Sequence, residues 1–283
     1  MTGTTYGVVA GYDGSPGSAD ALRWAVREAQ ARGTALMVCL AWAPDHMTPT
    51  IGSAVADLVR QPGKEMLARG LSYAESVLGP GRVHSELAGG SAAHVLCERS
   101  RGAEMVVVGS RGHSEQPGLR LGSVAWQVAG HASGRVVVIQ GRWRPVNQSW
   151  SPIIVGVDGS QASQAAITFA FEEAALRDVP LVALCALADA PSVLGGAHAM
   201  EERFSQLMTS EEKEHPEVTV IRQIAVGAPR SALLAAATEA QMLIVGCRGR
   251  GGIEGLSLGS VAQAVLHHAP CPVGIVHPPP CQR

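Results

Sequence analysis

Short apolar runs alternate with longer amphipathic segments along this chain, and glycines stand at many of the boundaries. Residues 7–13 (Gly-Val-Val-Ala-Gly-Tyr-Asp) read as a buried strand running into Asp13-Gly14-Ser15-Pro16. Ser18 reads as a helix cap, and Ala21, Leu22, Trp24, Ala25, Val26 and Ala29 then recur at helical spacing as far as Gly33. Positions 35–42 are a second buried strand, and 44–62, with prolines at both ends, read as irregular. Apolar residues at 66, 67, 71, 74, 77 and 78 predict an amphipathic helix that Gly79-Pro80-Gly81 stops. A half-polar strand (82–87), a short helix (91–100), a fourth strand (103–109), a helix (122–131) and a fifth strand (136–139) complete the series.

A polar, irregular stretch over 142–151 reads as a linker between a first domain, 1–141, and a second, 152–283, because the pattern then starts again. Ile153-Ile-Val-Gly-Val-Asp158-Gly159-Ser160 repeats the first strand and its Asp-Gly-Ser turn. A helix over 163–176 and strands over 181–187, 218–225, 242–245 and 273–276 follow in the same order. The copies stand 145 positions apart at Asp13 and Asp158 but 137 apart at Gly109 and Gly246, so the second has lost eight residues; the region after its second strand is the expected place. Strands alternating with helices imply two tandem, open, parallel α/β domains with helices on both faces.

Composition removes several function classes. At 283 residues, 46% hydrophobic and 16% charged, the chain has length for two domains with well-buried cores. A net charge of −2 gives no sign of a nucleic-acid or anionic-membrane partner. No apolar run reaches the ~18 residues a membrane helix needs, and no basic stretch followed by an apolar core begins the sequence, so an intracellular, cytoplasmic protein is expected. The six cysteines form no C-x-x-C pair; Cys39, Cys97 and Cys185 sit in apolar segments as small core residues. The adjacent His267 and His268 point to different helix sides and lack acidic company, which is a poor metal pair.

The chemistry concentrates after the fourth strand of each copy. Gly109-Ser-Arg-Gly112 is followed, after nine residues, by Gly122-Ser123; Gly246-Cys-Arg-Gly249 is followed, after nine, by Gly259-Ser260. Strand, glycine loop and helix start make a cradle of backbone N–H groups suited to phosphate. Ser123 and Ser260 read as the helix caps. In a parallel sheet, ligands bind beyond the carboxyl ends of the strands where strand order reverses. Asp13 and Asp158 would therefore face these loops. The only lysines are Lys64 and Lys213, neither in a glycine loop, so this is not a P-loop NTPase.

With the Asp-Gly-Ser turn after the first strand (Ala10-Gly-Tyr-Asp-Gly-Ser15 and Val155-Gly-Val-Asp-Gly-Ser160) and G-x-x-G-(nine)-G-S each present twice, nearly the whole chain resembles the universal stress protein family, in its tandem two-domain form. The resemblance implies five-stranded sheets in the order 3-2-1-4-5, a Rossmann-like arrangement, and ATP, with Mg²⁺, in each domain. By the same resemblance Asp13 and Asp158 would meet the sugar end of the nucleotide, and the backbone at Ala41 and Ala186 the adenine. Gly109, Gly112, Gly122 and Ser123 would hold phosphates in the first domain, with Val124 a further nucleotide contact and Arg111 either a phosphate partner or a solvated arginine. Gly246, Gly249, Gly259 and Ser260 would do so in the second, with Val261 a further nucleotide contact and Arg248 open to the same two readings as Arg111. The first loop departs from the pattern: His113-Ser-Glu-Gln-Pro117 brings an acid, Glu115, and a proline without an N–H donor, and lacks the second glycine pair.

The expected function is a nucleotide-dependent regulatory switch in the stress response, acting on a protein partner. The last strands would pair the two repeats as an intrachain pseudo-dimer, and a homodimer is a further expectation. The alternatives are a slow ATPase or adenylyl-transfer enzyme and a nucleotide-free interaction module. No convincing general base stands beside the glycine loops, so binding is better supported than turnover. Asp13 and Asp158 could also be turn formers, and the glycines could simply close tight turns.

Overall fold

The computed structural model describes residues 6–42, 53–113, 120–141, 151–187, 194–250 and 257–279, with the side chains of 53–59, 194–201 and 203 left aside. The chain divides into two compact units, Met1–Arg142 and Trp143–Arg283. The expected linker falls largely outside the described residues, as do Glu115 and Pro117.

The first unit runs β1 (Tyr6–Gly11), α1 (Pro16–Ala31), β2 (Leu36–Trp42), α2 (Ser53–Leu78), β3 (Val83–Gly89), α3 (Ala92–Ser100), β4 (Ala103–Gly109), α4 (Ser123–His131) and β5 (Arg135–Ile139). All pairings are parallel, β3 on β2, β2 on β1, β1 on β4 and β4 on β5. The helices α1 and α2 pack together on one face, α3 and α4 on the other. Covered on both sides, the strands carry continuous rather than alternating apolar residues; Met105, Val106, Val107 and Val108 are all buried.

The second unit repeats this with β6 (Ile153–Gly156), α5 (Gln161–Arg177), β7 (Leu181–Leu187), α6 (Leu194–Glu214), β8 (Val220–Val226), α7 (Pro229–Ala236), β9 (Met242–Gly246), α8 (Ser260–His268) and β10 (Val273–Val276). Its order is β8-β7-β6-β9-β10, again all parallel. The strand order 3-2-1-4-5 therefore holds in each unit. The register locates the missing eight residues. Val8 pairs with Leu36 and Ile153 with Leu181, both steps of 145 between copies; Leu36 pairs with Val83 and Leu181 with Val220, where the step has become 137. The loss lies between the second and third strands.

The structure corrects several boundaries. The amphipathic helix at 66–78 is the second half of α2, which begins at Ser53 and passes through Pro62. An interior proline removes an N–H donor and crowds the carbonyl four residues back, a cost of ~3 kcal/mol; packing of α2 on β2, β3 and α1 offsets it. The helix α6 was not anticipated, although Phe204 and Met208, four apart, are both fully buried along it. Ser18 does not cap α1. Ser15 does, accepting a bond from the Ser18 N–H at 3.2 Å, with Pro16 in the first helical position. Ser123 and Ser260 are not caps either. Gly122 and Gly259 hold the cap positions in extended conformation with no side-chain bond, which puts each serine in the first helical position. The cap glycine is held by its own backbone instead, Gly122 N–H donating to Ser110 at 2.7 Å and Gly259 N–H to Cys247 at 2.8 Å.

Candidate functional site

Beyond the carboxyl ends of the paired strands β1 and β4 lies a cleft of about 430 Å³; the second unit has one of about 350 Å³ beyond β6 and β9. Both volumes fall in the range of small-molecule pockets, ~300–1,000 Å³. The two clefts are built by the same local device. Gly14 and Gly159 take φ of +79° and +74°, which turns the chain sharply after each aspartate. Asp13 Oδ1 accepts the Ser15 N–H and Asp158 Oδ1 the Ser160 N–H, both at 2.9 Å. The aspartate N–H groups donate to Ser18 Oγ at 3.2 Å and to Ser163 Oγ at 3.1 Å. Ser15 and Ser160 in turn cap α1 and α5.

The other carboxylate oxygen reaches across the cleft to the glycine loop. Asp158 Oδ2 accepts the Arg250 N–H at 2.9 Å; Asp13 Oδ2 accepts the His113 N–H at 3.4 Å, with His113 Nδ1 3.7 Å away. Each aspartate is thus both turn former and loop clamp. Burial raises the pKa of Asp13, but hydrogen bonds from Ser15 and Ser18 and the nearby His113 outweigh it and leave the carboxyl below its ordinary value.

The glycines are there for contact. A Cβ on Gly112 would stand 2.7 Å from Asp13 Oδ2, and one on Gly249 2.3 Å from Asp158 Oδ2. A Cβ on Gly109 would meet the Gly17 carbonyl group at 2.5 Å, and one on Gly246 the Ala162 backbone at 2.7 Å. So Gly112 and Gly249 let the carboxylate approach, while Gly109 and Gly246 seat a strand end against the first turn of α1 or α5. At the far end of each loop, α4 and α8 present the unpaired N–H groups of their first turns.

The chain matches the family model described as the universal stress protein family twice, over residues 7–140 and 149–277. It belongs to the universal stress protein family. A universal stress protein of Mycolicibacterium smegmatis is 33% identical over 292 residues, 98% of this chain and 99% of that one. One from Mycobacterium tuberculosis strain H37Rv is 33% identical over 284 residues, covering 95% of this chain and 96% of its own. The crystal structure of a universal stress protein from Archaeoglobus fulgidus covers 98% of both chains at a TM-score of 0.73 and 20% identity, a likeness of fold.

In this universal stress protein the predicted residues converge. Asp13, Ala41, Gly109, Arg111, Gly112, Gly122, Ser123 and Val124 all line the first cleft. Asp158, Ala186, Gly246, Arg248, Gly249, Gly259, Ser260 and Val261 all line the second. Sequence reasoning missed the apolar walls, Leu96 and Leu233, and the loop residues His113 and Arg250. The last two differ in type between the copies, so only their position after Gly112 and Gly249 could have pointed to them. Cys39 in the first cleft and Cys247 in the second are unsuited to nucleophilic work: burial foremost pushes the Cys39 thiol up to about 12 and raises that of Cys247. Among the described residues no group of three or more His, Cys, Asp or Glu could hold a metal ion, and no helix is long and apolar enough to cross a membrane.

Proposed function

We propose that this universal stress protein binds an adenine nucleotide, ATP foremost, in its two clefts and acts as a nucleotide-dependent regulatory switch in the cytoplasmic stress response. The observation that carries the reading is the clamp. In the second cleft the carboxylate at the end of β6 holds the loop after β9 by its Arg250 N–H at 2.9 Å, so the sugar-side acid and the phosphate-side loop form one unit. Ala186 would border the base, and Asp158 the sugar. The N–H groups at the start of α8, the loop backbone from Gly246 to Gly249 and the Arg248 guanidinium would receive the phosphates, a donor set that fits an anion. Mg²⁺, with no carboxylate cluster to hold it among the described residues, would be carried by the phosphates.

The chain's contribution to switching is the position of the glycine loop. A ligand that bonds both the loop N–H groups and the aspartate favours the clamped arrangement, and a partner sensing that surface reads the difference. The second cleft, with its tighter clamp, is the stronger site. The test is the nucleotide content of the freshly purified protein, by denaturation and chromatography, followed by calorimetric titration with Mg·ATP. One to two moles of adenine nucleotide per chain supports the reading. No bound nucleotide and no titratable binding overturns it in favour of an interaction module, and steady phosphate or AMP release would replace the switch with an enzyme.

A further inference from the structure

The second unit holds another cavity, about 220 Å³, beside its main cleft. Val157, Asp158, Ala186 and Arg250 line both, so the two spaces adjoin across these residues. The outer walls are apolar: Cys185 on β7, and Phe204 and Leu207 on α6. Arg250 stands at the boundary, its backbone on Asp158 and a guanidinium nitrogen 3.4 Å from the Gly159 carbonyl oxygen.

The first unit is built differently at the matching point. Val157 precedes Asp158 as Tyr12 precedes Asp13, and the Tyr12 ring leans on α2. A Cβ on Gly70 would come within 2.8 Å of its Cε1 atom. The phenol ring takes the space between the strand end and the second helix, which valine leaves open in the second unit.

We infer that this side cavity is a subsite for a single aromatic ring carried on the sugar end of an adenine nucleotide, present in the second cleft and closed in the first. The inference rests on the nucleotide reading above. Two features select the occupant. An apolar cavity of about 150 Å³ holds benzene, so 220 Å³ admits one substituted ring and little more. Arg250 offers a planar cation, which stacks on aromatic faces and has no such preference for an alkyl chain. The opening lies at Asp158, on the sugar side of the proposed pose, so the ring enters from the ribose.

The probe is ATP bearing an N-methylanthraniloyl group on its ribose, titrated by fluorescence and by displacement with ATP. The whole protein is expected to show one high-affinity site per chain for the probe, roughly tenfold tighter than for ATP, as removing one aromatic ring from water supplies. Leu207 lines only the side cavity, so Leu207→Trp should plug it, removing the tenfold gain and leaving ATP binding intact. Cys185→Leu, also confined to the side cavity, should act the same way if the tryptophan disturbs folding. In the other direction, Tyr12→Val should raise the high-affinity probe sites to two per chain. Equal affinities for probe and ATP, or a gain that survives both plugging variants, overturns the subsite and leaves the nucleotide reading standing. Failure of both ligands to bind overturns the two together.

Discussion

Gly249→Ala and Gly246→Ala, three residues apart on one loop, should fail in opposite ways. At Gly249 the new methyl would lie 2.3 Å from Asp158 Oδ2. That oxygen is the end of a short, exposed side chain and can rotate away, but only by giving up the 2.9 Å bond to the Arg250 N–H. A charge-assisted hydrogen bond contributes ~1.5–3 kcal/mol when well shielded, and exposure reduces this one to about 1 kcal/mol. Gly249 has no positive φ, so alanine also gains ~0.4–1 kcal/mol by restricting the unfolded chain. The net change in stability should be near zero. The loop, however, loses its clamp, and ATP affinity should fall about fivefold to tenfold. At Gly246 the methyl meets the Ala162 backbone at 2.7 Å and the Ser163 nitrogen at 2.9 Å, where nothing can swing aside. Overpacking of this kind costs ~1–3 kcal/mol, a fall of roughly 3–10 °C in the melting point of a unit this size. Differential scanning calorimetry and calorimetric ATP titration on both variants separate the two effects. If Gly249→Ala lowers the melting point as far as Gly246→Ala and leaves ATP affinity unchanged, the assignment of one glycine to the clamp and the other to packing is refuted.

Other residues make further predictions. The Glu173 side chain is fully buried against Arg177, one turn along α5, and Glu28 on α1 forms the matching pair with Arg32, just past that helix's end. Arg177→Ala should destabilise the second unit by about 3–5 kcal/mol, because it leaves a buried carboxylate without its guanidinium, and a Glu173→Met, Arg177→Leu double variant should restore most of the loss in chemical denaturation. The depressed pKa of Asp13 contributes stability above the ordinary carboxyl value and loses it as pH falls through the lower folded value, so Asp13→Asn should shrink the loss of stability seen by urea titration below about pH 4. Cys39 and Cys271, each with its thiol pushed up to about 12 chiefly by burial, should react with Ellman's reagent at pH 8 only as the protein unfolds.

The strands were legible because a strand buried on both faces writes itself as an uninterrupted apolar run, and 105–108 and 242–245 leave no other reading. Duplication did the rest. Two aspartates and two glycine loops at matching places mark a site that either copy alone would leave ambiguous. What stayed hidden depends on geometry that residue types do not carry. The α2 start was obscured by Pro62, since an interior proline normally breaks a helix and only packing, which residue types do not carry, offsets its cost. The caps of α4 and α8 were misplaced by one residue because serine is the commoner cap, whereas here the backbone of Ser110 or Cys247 secures a glycine. The clamp was invisible because its acceptor is a side chain and its donor a peptide N–H, which every residue but proline has. The difference between Tyr12 and Val157 is plain in the sequence, but its meaning depends on where the second helix passes.

The clamp has a consequence for how such a protein diverges after duplication. A contact made through the peptide backbone holds whatever side chain stands at that position, and in this chain one copy carries histidine and the other arginine while both loops are tied down. The residue at that position is therefore an interchangeable part on a fixed mount. Each half is free to be retuned for charge or shape by single substitutions there, without the loop having to be rebuilt and without any change in the other half.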